Sequence, residues 1–134
     1  MPKQYINPDS LFPSVEHGFS QIVAASGQKT LFISGQVAWD QDKRLIGGES
    51  LVEQTRQVLR NLRSAVEAAG GSLADVVAMR IYIVDYKPEK AEAVGSALRE
   101  CFPQETCPAS TWIGVTSLAT AEFLIEIEAT AVLE

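Results

Sequence analysis

Apolar residues cluster in five short stretches that are rich in β-branched and aromatic side chains and are bounded by turn residues. Such stretches predict β-strands, which we place at residues 19–25, 30–39, 76–84, 109–115 and 123–133. The first two flank the turn signal Ser26-Gly27-Gln28, and this arrangement predicts a hairpin. The third is apolar on both alternating faces except at Arg80, which is typical of a central strand covered on both sides.

Two further stretches carry apolar residues at helical spacing. The first begins at Ser50 and Glu53, a capping-box pair that satisfies two free amide groups, and ends at Gly70-Gly71. The second begins near Pro88 and must end before Pro103, because proline cannot continue a helix. The predicted buried stripes are Leu51, Thr55, Val58, Leu62, Ala65 and Ala69 in the first helix, and Ala91, Val94, Leu98 and Cys101 in the second.

The order of elements is β-β-α-β-α-β-β, preceded by an arm or loop at residues 1–18 that contains three prolines. The length and the even composition predict a single domain over residues 1–134. We expect an α/β fold of the α+β sandwich type, with two helices on one face of a mixed sheet. Because several strands are apolar on both faces, the other face needs a cover, and self-association is the expected source.

Composition and charge narrow the function classes. Hydrophobic residues make up 46% of the chain and charged residues 21%, which is ordinary globular usage. The net charge of −6 disfavours nucleic acid as a partner. Cys101 and Cys107 have neither zinc-ligand spacing nor a disulfide pattern, so we expect free thiols in the cytoplasm. The sequence shows no signal peptide and no apolar run long enough to cross a membrane, so no membrane association is expected.

Nucleotide-binding, zincin and hydrolase-elbow motifs do not occur in the chain, and no metal site is predicted. His17 is the only histidine, and it lies in the irregular N-terminal stretch, where an exposed loop histidine is the simpler interpretation than a catalytic base. The last strand places Glu126 and Glu128 on one face. They are either solvated side chains or, if an oligomer covers that face, partly buried acids with a raised pKa.

The preceding strand places Ser110, Trp112 and Gly114 on one face. This polar, aromatic and small series either lines a ligand pocket or belongs to a tryptophan that packs in an interface. Ser34-Gly35 offers a hydroxyl and an amide without a neighbouring side chain, although such a pair is also typical of a β-bulge.

Four segments, taken in order and at their spacing, resemble the signatures of the Rid (reactive intermediate deaminase, YjgF-like) family. They are Phe32-Ile33-Ser34-Gly35-Gln36, Val66-Glu67-Ala68-Ala69-Gly70, Pro108-Ala109-Ser110-Thr111, and Ile125-Glu126-Ile127-Glu128-Ala129-Thr130-Ala131-Val132. The similarity runs from about residue 18 to residue 132.

The resemblance implies a chorismate-mutase-like fold and a homotrimer with its sheets inside, its helices outside and its ligand clefts between neighbouring subunits. It also implies hydrolysis of small enamine or imine metabolites, such as 2-aminoacrylate, without a cofactor. In that chemistry an arginine grips the substrate carboxylate, a glutamate positions the water, and a serine and a tyrosine complete the pocket.

Carried onto this chain, the resemblance is partial. It makes Ser34 the serine of the Ser-Gly-Gln motif and Glu126 the catalytic glutamate, and it adds Gly35 and Thr111 as ligand-binding positions. The tyrosine position falls on Phe19, which lacks the hydroxyl. The arginine position is Ser110, and the position often held by cysteine is Trp112, as in an arginine-less subgroup.

The loss of the arginine weakens the grip on a carboxylate. A charge-assisted hydrogen bond contributes roughly 1.5–3 kcal/mol, and a neutral hydroxyl about half of that or less. We therefore expect poor hydrolysis of 2-aminoacrylate and a flatter, less acidic or more apolar ligand. Two hypotheses remain: an imine or enamine deaminase that uses Glu126, or a trimeric small-ligand binding or sensor protein. The acidic charge disfavours a ribonuclease.

Overall fold

The computed structural model describes residues 3–134, so Met1 and Pro2, the start of the predicted arm, lie outside the described residues. Two α-helices are formed, α1 (Leu51–Ala68) and α2 (Ala91–Cys101). The six strands are β1 (Gln4–Ile6), β2 (Ile22–Ala24), β3 (Lys29–Gln36), β4 (Val76–Val84), β5 (Ala109–Val115) and β6 (Ile125–Leu133).

The main sheet has four strands in the order β3-β6-β4-β5. β6 pairs antiparallel with both β3 and β4, whereas β4 and β5 run parallel. Both helices pack on one face of this sheet, and they also contact each other. The predicted mixed sheet with two helices on one face is therefore confirmed.

The predicted hairpin between the first two apolar runs is wrong. β2 pairs instead with β1 in a separate two-stranded sheet, with Tyr5 opposite Val23. Ser20 forms a bridge with Ala109 at the β5 edge of the main sheet, whereas β3 lies at the opposite edge. Residues 25–28 therefore carry the chain onward to β3 and do not fold it back. The stretch expected to be only an arm contributes β1 and a short 3-10 turn, Ser14–His17.

Helix α1 begins and ends close to where the sequence predicts. The Ser50 hydroxyl accepts a hydrogen bond of 3.2 Å from the Glu53 amide, which is one of the two bonds of the predicted capping box. After the helix, Gly70 has a φ of 93°, a left-handed conformation that favours glycine. Among the described residues, no helix combines the length and the apolar character that a membrane crossing needs.

The core lies between the helices and one face of the sheet. Every second residue of β6 points into it, so Ile125, Ile127 and Ala131 have no exposed surface. The helices supply side chains that are equally enclosed. These include Val58, Leu59, Leu62 and Val66 from α1, and Val94, Ala97 and Leu98 from α2.

The opposite face of the sheet, here called the open face, points away from both helices, and within the described residues only the segment around Phe19 and Ser20 adjoins it. It carries the alternate residues of the same strands, which are half-buried or exposed: Thr30, Phe32, Ser34, Arg80, Tyr82, Thr111, Glu126, Glu128 and Thr130. Phe32 is 83% exposed, although its side chain is large and apolar. The sequence predicts that β4 is covered on both sides, and the helices cover only one of them.

A buried glutamine fixes the start of β6 against α1. The Gln54 side chain has no exposed surface, and its amide nitrogen donates to the carbonyls of Gly48 at 2.7 Å and Glu122 at 2.9 Å. Its oxygen accepts from the Leu124 amide at 2.9 Å. Since buried polar groups without partners are costly, these bonds hold the segment that leads into Glu126.

Candidate functional site

Glu126 lies on the open face, on a central strand and opposite Tyr82 of β4. Its carboxylate packs against the backbone of Gly35 on β3. A Cβ atom at Gly35 would collide with Oε2 of Glu126 and would lie 2.7 Å from the carboxylate carbon. Only glycine fits this approach, so the Ser-Gly-Gln segment and the glutamate form one unit.

A β-bulge brings Gly35 to the glutamate. The pairing of β3 with β6 shifts register between Ile33, which faces Ala129, and Gln36, which faces Ile127. Ser34 and Gly35 therefore occupy the irregular part of the strand, where a backbone commonly bends to aim a group at its surroundings. The two interpretations of Ser34-Gly35, a bulge or a site element, are compatible, because the bulge presents the glycine to Glu126.

Burial raises the pKa of the Glu126 carboxyl, and the nearby charge of Glu128 raises it further. No side chain in the described part of the chain donates a hydrogen bond to this carboxylate. A carboxylate with a raised pKa and unused lone pairs is suited to accept a proton from a water molecule. The arrangement therefore gives Glu126 the properties of a general base.

Glu128, two residues further along β6, has a different environment. Its carboxylate accepts a short hydrogen bond from the Tyr82 hydroxyl. This bond is the main cause of the raised pKa of Tyr82, and Arg80 offsets part of the rise. Because Glu128 already has a donor, it is less free than Glu126 to bind water. Sequence reasoning missed Tyr82, whose place on β4 opposite a glutamate becomes visible only once the strands are paired.

The other predicted site residues lie on or beside β5. The parallel register with β4 aligns Ser110 with Met79 and Trp112 with Ile81, so both face the helices. Thr111 aligns with Arg80 and lies on the open face. Trp112 packs against the core, and neither its indole N–H nor the Ser110 hydroxyl has a hydrogen-bond partner in residues 3–134.

Two cavities adjoin β5, and Phe19 lines both. A groove of about 520 Å³ on the open face contains Phe19, Ser110, Thr111, Arg80 and Glu128. A second cavity of about 340 Å³ lies between β5 and α2; we call it the aromatic pocket. It is lined by Phe12, Glu16, His17, Phe19, Tyr86, Ala91, Glu92, Gly95, Arg99 and Trp112.

The structure thus divides the predicted site into two groups. Ser34, Gly35 and Glu126 meet where β3 and β6 pair. Phe19, Ser110, Thr111 and Trp112 lie at the other edge of the sheet. β4 separates β6 from β5, so the two groups are two strand spacings apart, roughly 10 Å. One protomer does not bring Glu126 and Trp112 to a common ligand.

The raised pKa of Glu126 predicts a pH-dependent cost to stability. A carboxyl whose pKa is higher in the folded state favours folding while it is protonated, and this advantage is lost as the pH rises through the folded pKa. Glu126→Gln should therefore increase the free energy of unfolding at pH 7 relative to the native chain. The difference should vanish at a pH below about 4, where the carboxyl is protonated in both the folded and the unfolded state.

Urea denaturation at a series of pH values measures this difference. Glu122→Gln, at an exposed position just before β6, is the matched control. A Glu126→Gln variant that is less stable than the native chain at pH 7 would contradict the assignment of a raised pKa.

Known proteins match this chain over nearly its whole length. The family model described as Endoribonuclease L-PSP matches residues 11–133. A RutC family protein of Synechocystis, slr0709, is 34% identical over 116 residues, which cover 86% of this chain and 85% of that protein.

Two solved structures share the fold. The first, YyfB from Yersinia pestis, is described as a conserved Rid family protein of unknown function. It is 43% identical, with a TM-score of 0.94 over 99% of this chain and 100% of that one. The second, RidA from an Antarctic Psychrobacter, is 30% identical, with a TM-score of 0.70 over 84% and 86% of the two chains. The motifs, the sheet order and these matches agree, and the chain belongs to the Rid (YjgF-like) family.

Proposed function

We propose that the protein is a cofactor-independent hydrolase that deaminates small enamine or imine metabolites. The observation that carries this proposal is the Glu126 carboxylate, which has a raised pKa and is held against Gly35 with no donor from the described residues. A partly buried charge is costly to keep unless it has a use. Family membership supports metabolite deamination or an endoribonuclease-like activity at a coarser level.

The proposed active site lies in a cleft between protomers of a homotrimer. Two features support this assembly. The open face exposes Phe32 and needs a cover, and most soluble oligomers are closed and symmetric. In addition, one group of site residues lies where β3 and β6 pair, and the other lies at the β5 edge of the same sheet. In the trimer, the β5 edge of one protomer would face the Glu126 region of its neighbour, so that the two groups form one cleft.

In the proposed reaction, Glu126 accepts a proton from a water molecule while the water oxygen attacks the carbon of the C=N bond. Glu126 passes this proton to the nitrogen, which gives a neutral carbinolamine. Its C–N bond then breaks as Glu126 transfers the hydroxyl proton to the nitrogen. Ammonia leaves, and the carbon becomes a ketone carbonyl. An enamine is first protonated at carbon to give the imine. The steps are proton transfers, the addition of water to C=N and the elimination of ammonia, so no redox partner is needed.

The β5 side of the cleft differs from the pattern that the family resemblance implies. Phe19 provides a ring without a hydroxyl, Ser110 provides no positive charge, and Trp112 fills space. These residues support a ligand that is flatter and more apolar than 2-aminoacrylate. The free thiols of Cys101 and Cys107 support a cytoplasmic location.

The second candidate is a non-catalytic sensor or carrier of small ligands. It is favoured by Phe19 and Ser110, because both positions lack the polar group that substrate recognition in the family uses. Ribonuclease activity is not proposed, despite the descriptive name of the family model, because the net charge of −6 opposes binding to a phosphate backbone.

Glu126→Gln separates the two candidates. The amide keeps the shape of the side chain and removes the proton acceptor, so turnover on an accepted imine should fall by about 10²–10⁴-fold. Glu128→Gln is the matched control on the same strand face and should have a small effect. Ammonia release over a panel of neutral and acidic imines measures both variants. Full turnover by Glu126→Gln would refute the mechanism, and a change in ligand binding without any turnover would favour the sensor.

A second prediction concerns the missing arginine. The native protein should hydrolyse 2-aminoacrylate poorly, and Ser110→Arg should raise the rate, because a guanidinium grips a carboxylate in a bidentate manner. The double variant with Trp112→Cys removes the indole with which the introduced arginine would clash. Rapid 2-aminoacrylate hydrolysis by the native protein, unchanged by Ser110→Arg, would place carboxylate recognition elsewhere.

A further inference from the structure

We propose that the aromatic pocket binds a small aromatic monocarboxylate, with the ring between the aromatic walls and the carboxylate on Arg99. The proposal deepens the proposed function, and rests on it in so far as the pocket is the β5 half of the proposed cleft. Position 110 carries no positive charge, and in this proposal Arg99 on helix α2 binds the carboxylate instead.

The walls of the pocket set the shape of the ligand. Phe12 makes edge-on contacts with His17 and Phe19, with ring centroids 6.1 and 6.0 Å apart. Trp112 and Tyr86 line the pocket as well. Phe12 is 57% exposed and Tyr86 38% exposed, so their apolar surfaces are available to a ligand. An aromatic ligand can pack offset or edge-on against these rings. The volume of about 340 Å³ is near the lower end for pockets that hold small organic ligands.

Arg99 supplies the polar contact. Its Nη2 donates to Glu92 Oε1 at 2.7 Å, while its other N–H groups make no hydrogen bond within residues 3–134. Both partners of this ion pair are substantially exposed, 47% for Arg99 and 79% for Glu92. Exposed pairs of this kind are weak, and a guanidinium has five N–H donors. A ligand carboxylate can therefore bind to the unused donors or replace Glu92.

Gly95 makes room for this arginine. It lies inside α2, one turn before Arg99, and it lines the same pocket. A Cβ atom at Gly95 would lie 3.1 Å from Nη1 of Arg99, closer than side chains normally pack. Glycine within a helix is unfavourable relative to alanine, and the guanidinium of Arg99 is the group that a Cβ atom here would meet.

The position of Arg99 also sets the size and charge of the ligand. Arg99 is on α2 and Trp112 is on β5, so an acid held by Arg99 must extend across the pocket to reach the sheet. A ring extends further across the pocket than a three-carbon acid does. The carboxylates of Glu16 and Glu92 line the same pocket. Two negative groups beside one arginine favour a ligand with a single carboxylate over a diacid.

Isothermal titration calorimetry with three probes tests the proposal. Phenylacetate carries both the ring and the charge, phenylacetamide keeps the ring without the charge, and acetate lacks the ring. Phenylacetate should bind to the native protein about tenfold or more tightly than either of the others. Arg99→Gln should remove the preference for phenylacetate over phenylacetamide. Arg44→Gln, at an exposed position in the turn after β3, is the matched control and should leave it intact.

Gly95→Ala provides an independent variant that keeps the arginine. It should raise the thermal unfolding temperature, because alanine favours the helix, and lower the affinity for phenylacetate severalfold by displacing Arg99. Affinity for phenylacetamide should stay unchanged. Damage to the fold would instead lower the unfolding temperature and both affinities together.

Three results would overturn the proposal: no binding of phenylacetate at millimolar concentration, equal affinity for acid and amide, or an acid preference that survives Arg99→Gln. Turnover of neutral imines that depends on Glu126 is measured separately. If that turnover persists while the acid preference is absent, the Arg99 proposal fails and the proposed function stands. If binding follows the prediction and no imine turns over, the Arg99 proposal stands and the proposed function fails.

Discussion

One face of β6 is apolar and packs in the core, and the other carries two carboxylates. The rest of the structure depends on accommodating both faces. Ile125 and Ile127 lie in the core beneath the helices, while Glu126 and Glu128 project from the other face of the same strand. β6 is a central strand, so its backbone is paired on both sides and its register with both neighbours is fixed. The surroundings of the two carboxylates must therefore accommodate them.

The accommodation differs for each glutamate, and the difference defines the candidate site. Glu128 receives the Tyr82 hydroxyl, whereas Glu126 meets the bare backbone of Gly35. One carboxylate is thereby satisfied and the other is left with a raised pKa and free lone pairs. A cover over the open face would desolvate Glu126 further, which would raise its pKa in the same direction. Assembly and chemistry would then be linked through one side chain.

Much of the fold could be predicted because the local signals were unambiguous. The bounds of β4 and β5 follow from runs of apolar residues between turn signals, and α1 follows from Ser50 and Gly70. The pairing of β2 could not be predicted in this way. A short apolar run shows that a strand forms, but it does not show which strand it pairs with. Because residues 20–29 cross from the β5 edge of the sheet to β3, β2 pairs with β1.

The candidate site was predictable in part for the same reason. The resemblance predicted Ser34, Gly35 and Glu126 as parts of one site with Phe19, Ser110 and Trp112. The β-bulge explains the contact between Gly35 and Glu126. Arg99 and Tyr82 carry no local signal, since an arginine on a helix and a tyrosine on a strand are common. Their relevance arises only when α2 packs beside β5 and when β4 pairs with β6.

The central claim is that one protomer holds only separate parts of the site and that a second copy completes it. Sedimentation equilibrium of the native protein at micromolar concentration tests this claim most directly. A single species with three times the chain mass of 14.5 kDa is the predicted result. A stable monomer would contradict the account, because the open face would then be solvated and Glu126 would have no partner surface across the cleft.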